Sequence, residues 1–192
     1  MKIGVLASQG AFAEHIAVLE QLKVDAVPVR LPAELAELDG LIIPGGESTS
    51  ISKLMRDYHL TDKVRELVLD GLPLLGTCAG MILLAKDVAD PRIEPLRVMN
   101  IRVRRNAFGR QVDSFETDLH IPALGERPFH AVFIRAPLIE EIDGGVEVLA
   151  RLDNGTVVAV RQGKLIATAF HPELTTDLRF HRYFLDIVAS RQ

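Results

Sequence analysis

A second cysteine is missing from this chain of 192 residues; Cys78 is the only one, so no disulfide can form within it. A core of this size folds without such staples. Nowhere does an apolar run approach the roughly 18 residues that a membrane span requires. The opening MKIGVLASQG lacks the charged, apolar and small-residue segments of a cleavable export signal. With a lone thiol and no export signal, the cytoplasm is the expected compartment. Positive charge is not in excess either: 22 Lys and Arg against 26 Asp and Glu leave a formal charge of −4. That field does not favour a polyanion, so neither nucleic acid nor membrane is an expected partner. Tryptophan is absent, and internal repeats, low-complexity tracts and linkers are not seen. At roughly 100–200 residues per domain, a single domain over residues 1–192 is expected.

What is present is a change of period along the chain. Residues 2–7 form a short, nearly all-apolar run, after which Phe12, Ile16, Leu19 and Leu22 follow at helical spacing. Further strand-like runs cover residues 27–29, 38–44 and 73–76. Between the last two lies a helical stretch, or two joined near His59, Leu60 and Thr61, and residues 81–89 are helix-compatible. Buried runs alternating with amphipathic helices predict a three-layer, open α/β core: a mostly parallel sheet with helices on both faces. The second half differs. Residues 98–104, 114–119, 130–134, 146–152, 156–161 and 165–170 read as short strands without intervening helices, an extension expected to pair mainly antiparallel. Asn154-Gly155 predicts a two-residue hairpin turn, and Gln162-Gly163-Lys164 a weaker one. A closing helix over 177–190 carries Leu178, His181, Leu185 and Val188 at helical spacing.

Chemistry concentrates at Gly76-Thr77-Cys78-Ala79-Gly80, between an apolar strand and a helix. In a G-x-C-x-G elbow the flanking glycines let the chain reverse sharply and hold the central side chain above the sheet edge. The Ala79 amide and the helix start behind it can stabilise negative charge. An ordinary thiol is only a few per cent ionised at neutral pH, so a nucleophile here needs a base; without one, Cys78 is a core residue. The histidines are His15, His59, His120, His130, His171 and His181. Only His171 comes with an orienting carboxylate built into its own segment, His171-Pro172-Glu173, where an extended stretch would let Glu173 reach the imidazole and fix its tautomer. Gly45-Gly46-Glu47-Ser48 follows the strand before the elbow strand. Its loop should reach the same sheet edge, where the Gly46 amide could join that of Ala79 in a two-donor oxyanion hole, or Ser48 or Thr49 could simply cap the next helix. Six arginines, Arg92, Arg97, Arg102, Arg104, Arg105 and Arg110, crowd one stretch. One of them, or Arg135, could clamp a substrate carboxylate; spacing does not choose.

Taken together, the elbow and the His-Pro-Glu segment resemble the class I, triad-type glutamine amidotransferase family. Pro44-Gly45-Gly46-Glu47-Ser48-Thr49, the run from Arg105 to Glu116, and Phe133-Ile134-Arg135-Ala136-Pro137 are similar to the branch of that family that supplies glutaminase subunits to pyridoxal 5'-phosphate synthases. The resemblance covers essentially the whole length; Ala7-Ser8, where relatives often carry Gly-Leu, is a local departure. It implies hydrolysis of L-glutamine to glutamate and ammonia, with Cys78 as nucleophile, His171 as base and then acid, and Glu173 orienting it. It also implies an oxyanion hole at Gly46 and Ala79, and a glutamine site formed by Gly46, Glu47, Ser48, Arg105, Ile134 and Arg135. No cofactor or metal enters this expectation. The expected partner is a barrel-shaped lyase subunit that uses the ammonia, contacted near Gln9 and completing the oxyanion hole on docking.

Overall fold

The computed structural model describes residues 1–105 and 114–190. Its centre is a seven-stranded sheet. The apolar runs of the first half supply β1 (Lys2–Leu6), β2 (Asp25–Val29), β3 (Gly40–Ile43) and β4 (Leu74–Thr77), all parallel to their neighbours. The late strands β10 (Glu147–Arg151), β11 (Val157–Gln162) and β12 (Leu165–Thr168) complete the order β10-β11-β12-β4-β3-β1-β2. In β3 and β4 every residue is buried, as a strand covered on both faces requires.

Alternation along β3 separates the helical layers. A side chain at Gly40 would point at Val188 and Phe184 of α5 (Arg179–Ala189), whereas Ile43, three positions on and facing the other way, lies under Gly80 of α4 (Ala79–Leu84). α1 (Phe12–Gln21) joins α5 on the first face through a hydrogen bond between His15 and His181. α2 (Ser48–Asp57) and α3 (Leu60–Leu69) pack beside α4 on the other. The helical stretch after β3 is thus two helices, joined at His59 in a left-handed conformation. No helix among the described residues is long and apolar enough to cross a membrane.

The structure refines the expected elements in four places. β12 pairs parallel with β4 as well as antiparallel with β11, so the expected antiparallel extension joins the main sheet through one parallel pairing. The helix expected over 81–89 ends at Leu84, where β5 (Ala85–Val88) leaves to pair parallel with β6 (Met99–Arg104). A strand absent from the sequence reading, β9 (Leu138–Ile142), pairs antiparallel with β6. At Asn154-Gly155 the hairpin is present but its loop has three residues. Leu152 N donates to Thr156 O, and only Gly155 takes a positive φ, +86°, as in a type I turn closed by a bulge. The tighter two-residue turn is the one at Gly163-Lys164, between Gln162 and Leu165.

A separate hairpin, β7 (Ser114–Leu119) with β8 (Phe129–Ile134), is fastened to the end of the main sheet by aromatic packing. Phe133 meets Phe170 edge-on at 5.7 Å, and Phe170 meets Phe180 of α5 at 5.4 Å. All three rings are fully buried. Their packing, with His171 N donating to Val132 O at 2.8 Å, brings the end of β8 beside the elbow.

Candidate active site

The chain turns from β4 into α4 at Cys78, with φ 50° and ψ −104°. A non-glycine residue held there is strained, at a cost of order 1–3 kcal/mol, and survives only where its surroundings enforce it. Cys78 N donates to Thr168 O on β12 at 2.8 Å, which anchors the strained residue to the neighbouring strand. The flanking glycines serve close packing and not, as expected, the reversal itself; neither has a positive φ. A Cβ at Gly76 would stand 2.7 Å from the Gly80 carbonyl carbon, and one at Gly80 would overlap the Ile43 carbonyl oxygen. Only bare backbone lets α4 start this close to the sheet.

β1, β3 and β4 release their loops at one sheet edge, where the order reverses around β1. Gly45 N donates to Thr77 Oγ1 at 3.1 Å, and Ala11 N donates to Gly45 O at 3.0 Å, so the loops after β1 and β3 are locked against the elbow. A side chain at Gly45 would collide with the His171 ring, so the imidazole lies against naked peptide. The cap of α2 is Glu47, in place of the expected Ser48 or Thr49. Its carboxylate accepts from Thr49 N at 3.1 Å and Ser50 N at 2.7 Å. Burial would raise its pKa, but the hydroxyl and amide donors of Thr49 and Ser50 prevail and hold it at about 2.

His171 and Glu173 meet, though by a different path from the extended one expected. The chain tightens into a 3₁₀ turn, Pro172–Leu174, which swings the Glu173 carboxylate back so that His171 Nδ1 donates to Oε1 at 2.7 Å. Burial opposes a charge on His171, yet hydrogen bonding to Cys78 and to Glu173 outweighs it and lifts its pKa to about 10. The imidazole therefore holds a proton at neutral pH beside the Cys78 sulfur. Burial alone would push the Glu173 carboxyl up; the field of His15 and the hydrogen bond from His171 turn the shift downward.

Cys78, His171, Ala79, Gly46, Glu47, Ser48, Arg105, Ile134 and Arg135 line one cavity of about 140 Å³, together with Ile82. Cys78 is only 7% exposed, and its sulfur lies at this cavity, 3.8 Å from the Ile134 carbonyl oxygen. Gln9 stands exposed at the rim, its side-chain oxygen accepting from Glu47 N at 2.9 Å. Arg105 bridges Glu47 and Asp90 at 2.8 and 2.7 Å. Arg135 makes no ion pair among the described residues, and its backbone sits at φ 43°, a second strained position on the cavity wall. Arg92, Arg102 and Arg104 pair with surface carboxylates, and Arg97 lies exposed away from the cavity. Arg110, with the middle of the run from Arg105 to Glu116, lies outside the described residues.

Two histidines behind the site escaped the sequence reading. His15 and His181 are fully buried, with Nδ1 of His15 and Nε2 of His181 2.9 Å apart. His15 Nε2 lies 3.3 Å from Glu173 Oε2. The signal was His181 itself, a polar ring at a position where helical spacing calls for an apolar one. Burial lowers the pKa of His15, and that of His181 to about 3. Below pH 6.5 the unfolded chain therefore takes up protons that these rings refuse, and stability falls as the pH drops from about 6.5 towards 3 at roughly 1 kcal/mol per proton per pH unit. The raised pKa of His171 acts in another window, its stabilisation being lost as the pH rises from 6.5 through 10. Thermal melts at pH 7 and pH 5 should show a lower Tm at pH 5, and His181→Leu should flatten that difference. An unchanged difference in the variant would count against buried, neutral rings.

The fold is that of the class I glutamine amidotransferases. A solved structure titled as a glutamine amidotransferase superposes with a TM-score of 0.93 at 52% identity, covering 98% of this chain and 100% of that one. A putative GMP synthase protein from Thermoplasma acidophilum shares the fold, at a TM-score of 0.71 and 22% identity over 99% of this chain and 94% of that one. The model of the SNO glutamine amidotransferase family matches residues 5–190, and the chain belongs to that family. Its relatives include proteins named pyridoxal 5'-phosphate synthase subunit PdxT. The one from Moorella thermoacetica is 61% identical, covering 98% of this chain and all of the relative. The one from Herpetosiphon aurantiacus is 58% identical, covering 97% of this chain and all of the relative.

Proposed function

We propose that this chain hydrolyses L-glutamine to L-glutamate and ammonia at the Cys78–His171–Glu173 triad, and delivers the ammonia to the lyase subunit of a pyridoxal 5'-phosphate synthase. One observation carries the chemistry: the thiol just after β4 and the imidazole just after β12 line a cavity that also holds the expected substrate residues, and the Glu173 carboxylate of the 3₁₀ turn backs the imidazole from behind. The printed names of the relatives support the destination of the ammonia.

In the reaction, the Cys78 sulfur, whose proton has passed to the His171 imidazole, adds to the side-chain carbonyl carbon of glutamine. The Gly46 and Ala79 amides hold the oxygen as it gains charge. His171 passes its proton to the departing nitrogen, which leaves as ammonia, and a γ-glutamyl thioester remains. The imidazole then takes a proton from water, whose oxygen attacks the thioester and frees glutamate, which restores the starting pair of released sulfur and protonated imidazole. Glu173 keeps His171 in one tautomer throughout. Gly46, Glu47, Ser48, Arg105, Ile134 and Arg135 surround the substrate. Arg135, free of ion pairs among the described residues, takes the α-carboxylate, while Arg105 steadies Glu47.

Ammonia released into water is protonated and lost to synthesis, so the product needs a receiving subunit docked at the site. Gln9, at the rim and bonded to the Glu47 amide, lies at that contact, and the whole chain acts as one glutaminase domain in the cytoplasm. Ammonia release from glutamine by the purified chain should be low, and should rise by up to about a hundredfold with the synthase subunit, the worth of one completed oxyanion donor. An isolated chain turning over at the rate of the complex would overturn the partner requirement, and no release in either state would overturn the activity.

A further inference from the structure

The Glu173 carboxylate is buried, and His171 occupies only one of its oxygens. Oε2 meets no hydrogen-bonding partner of good geometry among the described residues; the polar group facing it is His15 Nε2, at 3.3 Å. We propose that His15 is a positioning residue for the triad: its Nε2–H is donated towards Oε2 of Glu173, and His181 holds His15 in the tautomer that allows this. The proposal rests on the triad reading above and extends it by two residues.

The hydrogen positions follow from the neighbours. His15 Nε2 lies between Glu173 Oε2 and Thr77 Oγ1, the latter at 3.2 Å. A bare nitrogen there would set its lone pair against a carboxylate, so Nε2 carries the proton and shares it between two oxygens, which accounts for both lengths. Nδ1 of the neutral ring is then an acceptor, and His181 Nε2, 2.9 Å away, donates to it. This leaves His181 Nδ1 with a lone pair and no partner, as found among the described residues. The opposite assignment would put a lone pair against Oε2 and also strand a buried N–H on His181, and stranded N–H groups are the rarer and costlier defect. The chain of donors therefore runs His181 to His15 to Glu173.

A neutral donor suits this place. A cation at position 15 would compete with His171 for the carboxylate charge; burial lowers the pKa of His15 against the opposing pull of Glu173, which favours the neutral ring. The Nε2–H fixes the second oxygen without neutralising the carboxylate, so Oε1 stays aimed at His171 Nδ1. A buried carboxylate anchored on one oxygen only could rotate about its terminal bond and lose that aim.

The test compares His15→Leu, which removes the donor, with His15→Gln, whose neutral N–H reaches as far as Nε2, both assayed for glutamine hydrolysis with the synthase subunit present. His15→Leu is expected to lower kcat by about 10–100-fold with KM within about twofold of the parent, and His15→Gln to recover kcat to within about threefold. A merely structural histidine would lower Tm alike in both variants and leave kcat of the folded protein unchanged. If His15→Leu does not fold, His181→Leu, which frees the His15 tautomer, is read in its place and should lower kcat about three- to tenfold. An unchanged kcat in the folded donor-less variant, or no recovery in His15→Gln, overturns the proposal. Cys78→Ala in the same assay separates the two levels: if it retains activity the triad itself fails, and if it is dead while His15→Leu is fully active, only the role of His15 fails.

Discussion

Cys78→Ala is expected to abolish ammonia release from glutamine, with kcat falling by about four orders of magnitude or more, while the folded structure persists. Removing a nucleophile that works with its base as a unit leaves only what binding and the oxyanion donors give. No other thiol in the sequence can substitute. The fold should tolerate the change because alanine keeps the Cβ that cysteine has at φ 50°, so the backbone strain is the same and only the sulfur is lost. That sulfur borders an existing cavity, so its loss enlarges space already there and opens no new void among packed side chains. Circular dichroism beside an ammonia assay decides the matter. A well-folded variant that still releases ammonia would show that the nucleophile lies elsewhere.

The second large effect concerns a residue with no side chain at all. Gly80→Ala should lower stability by about 3 kcal/mol and abolish activity. A Cβ there would overlap the Ile43 carbonyl oxygen, a backbone atom of the central strand that cannot swing aside, so α4 must lift off β3. Lifting α4 also displaces its first residue, Ala79, whose amide the mechanism needs. For a chain of this length the loss corresponds to a fall in Tm of roughly 6–12 °C. Gly71→Ala is the control. That glycine has φ +98° but nothing within 4 Å, so only the backbone penalty applies and the effect should be about 1–2 kcal/mol, with activity retained. If thermal melts rank the two the other way, the close contact between elbow and sheet is not what makes glycine necessary at position 80.

The first half of the fold could be read from period alone, because β1, β3 and β4 are covered on both faces and each is followed by helix, so burial writes itself into the sequence as uninterrupted apolar runs. The second half could not be read so fully. Whether residues 165–168 lie beside β11 only, or between β11 and β4, depends on pairing across about 90 positions, and Leu-Ile-Ala-Thr looks the same in either case. The helix end at Leu84 was hidden for a related reason: Ala85 has no helix-breaking character, and the pull of β6 decides. In the site, Cys78, His171 and Glu173 were legible because an elbow and a His-Pro-Glu segment are local signatures. The 3₁₀ turn that joins the last two was not, since the same three residues satisfy an extended path on paper. His15 stayed hidden because its partners, Glu173 and His181, come from the far end of the chain, and nothing near it in sequence marks it as polar by necessity.

β12 occupies the middle of the main sheet yet is the last of its strands in chain order, and His171 follows directly behind it. A polypeptide growing from a ribosome thus exposes Cys78 long before the imidazole has been synthesised, and the slot between β11 and β4 stays open until then. Closing that slot is one event with two results: it completes the main sheet, and it brings the imidazole of His171 to the cavity where the Cys78 sulfur waits.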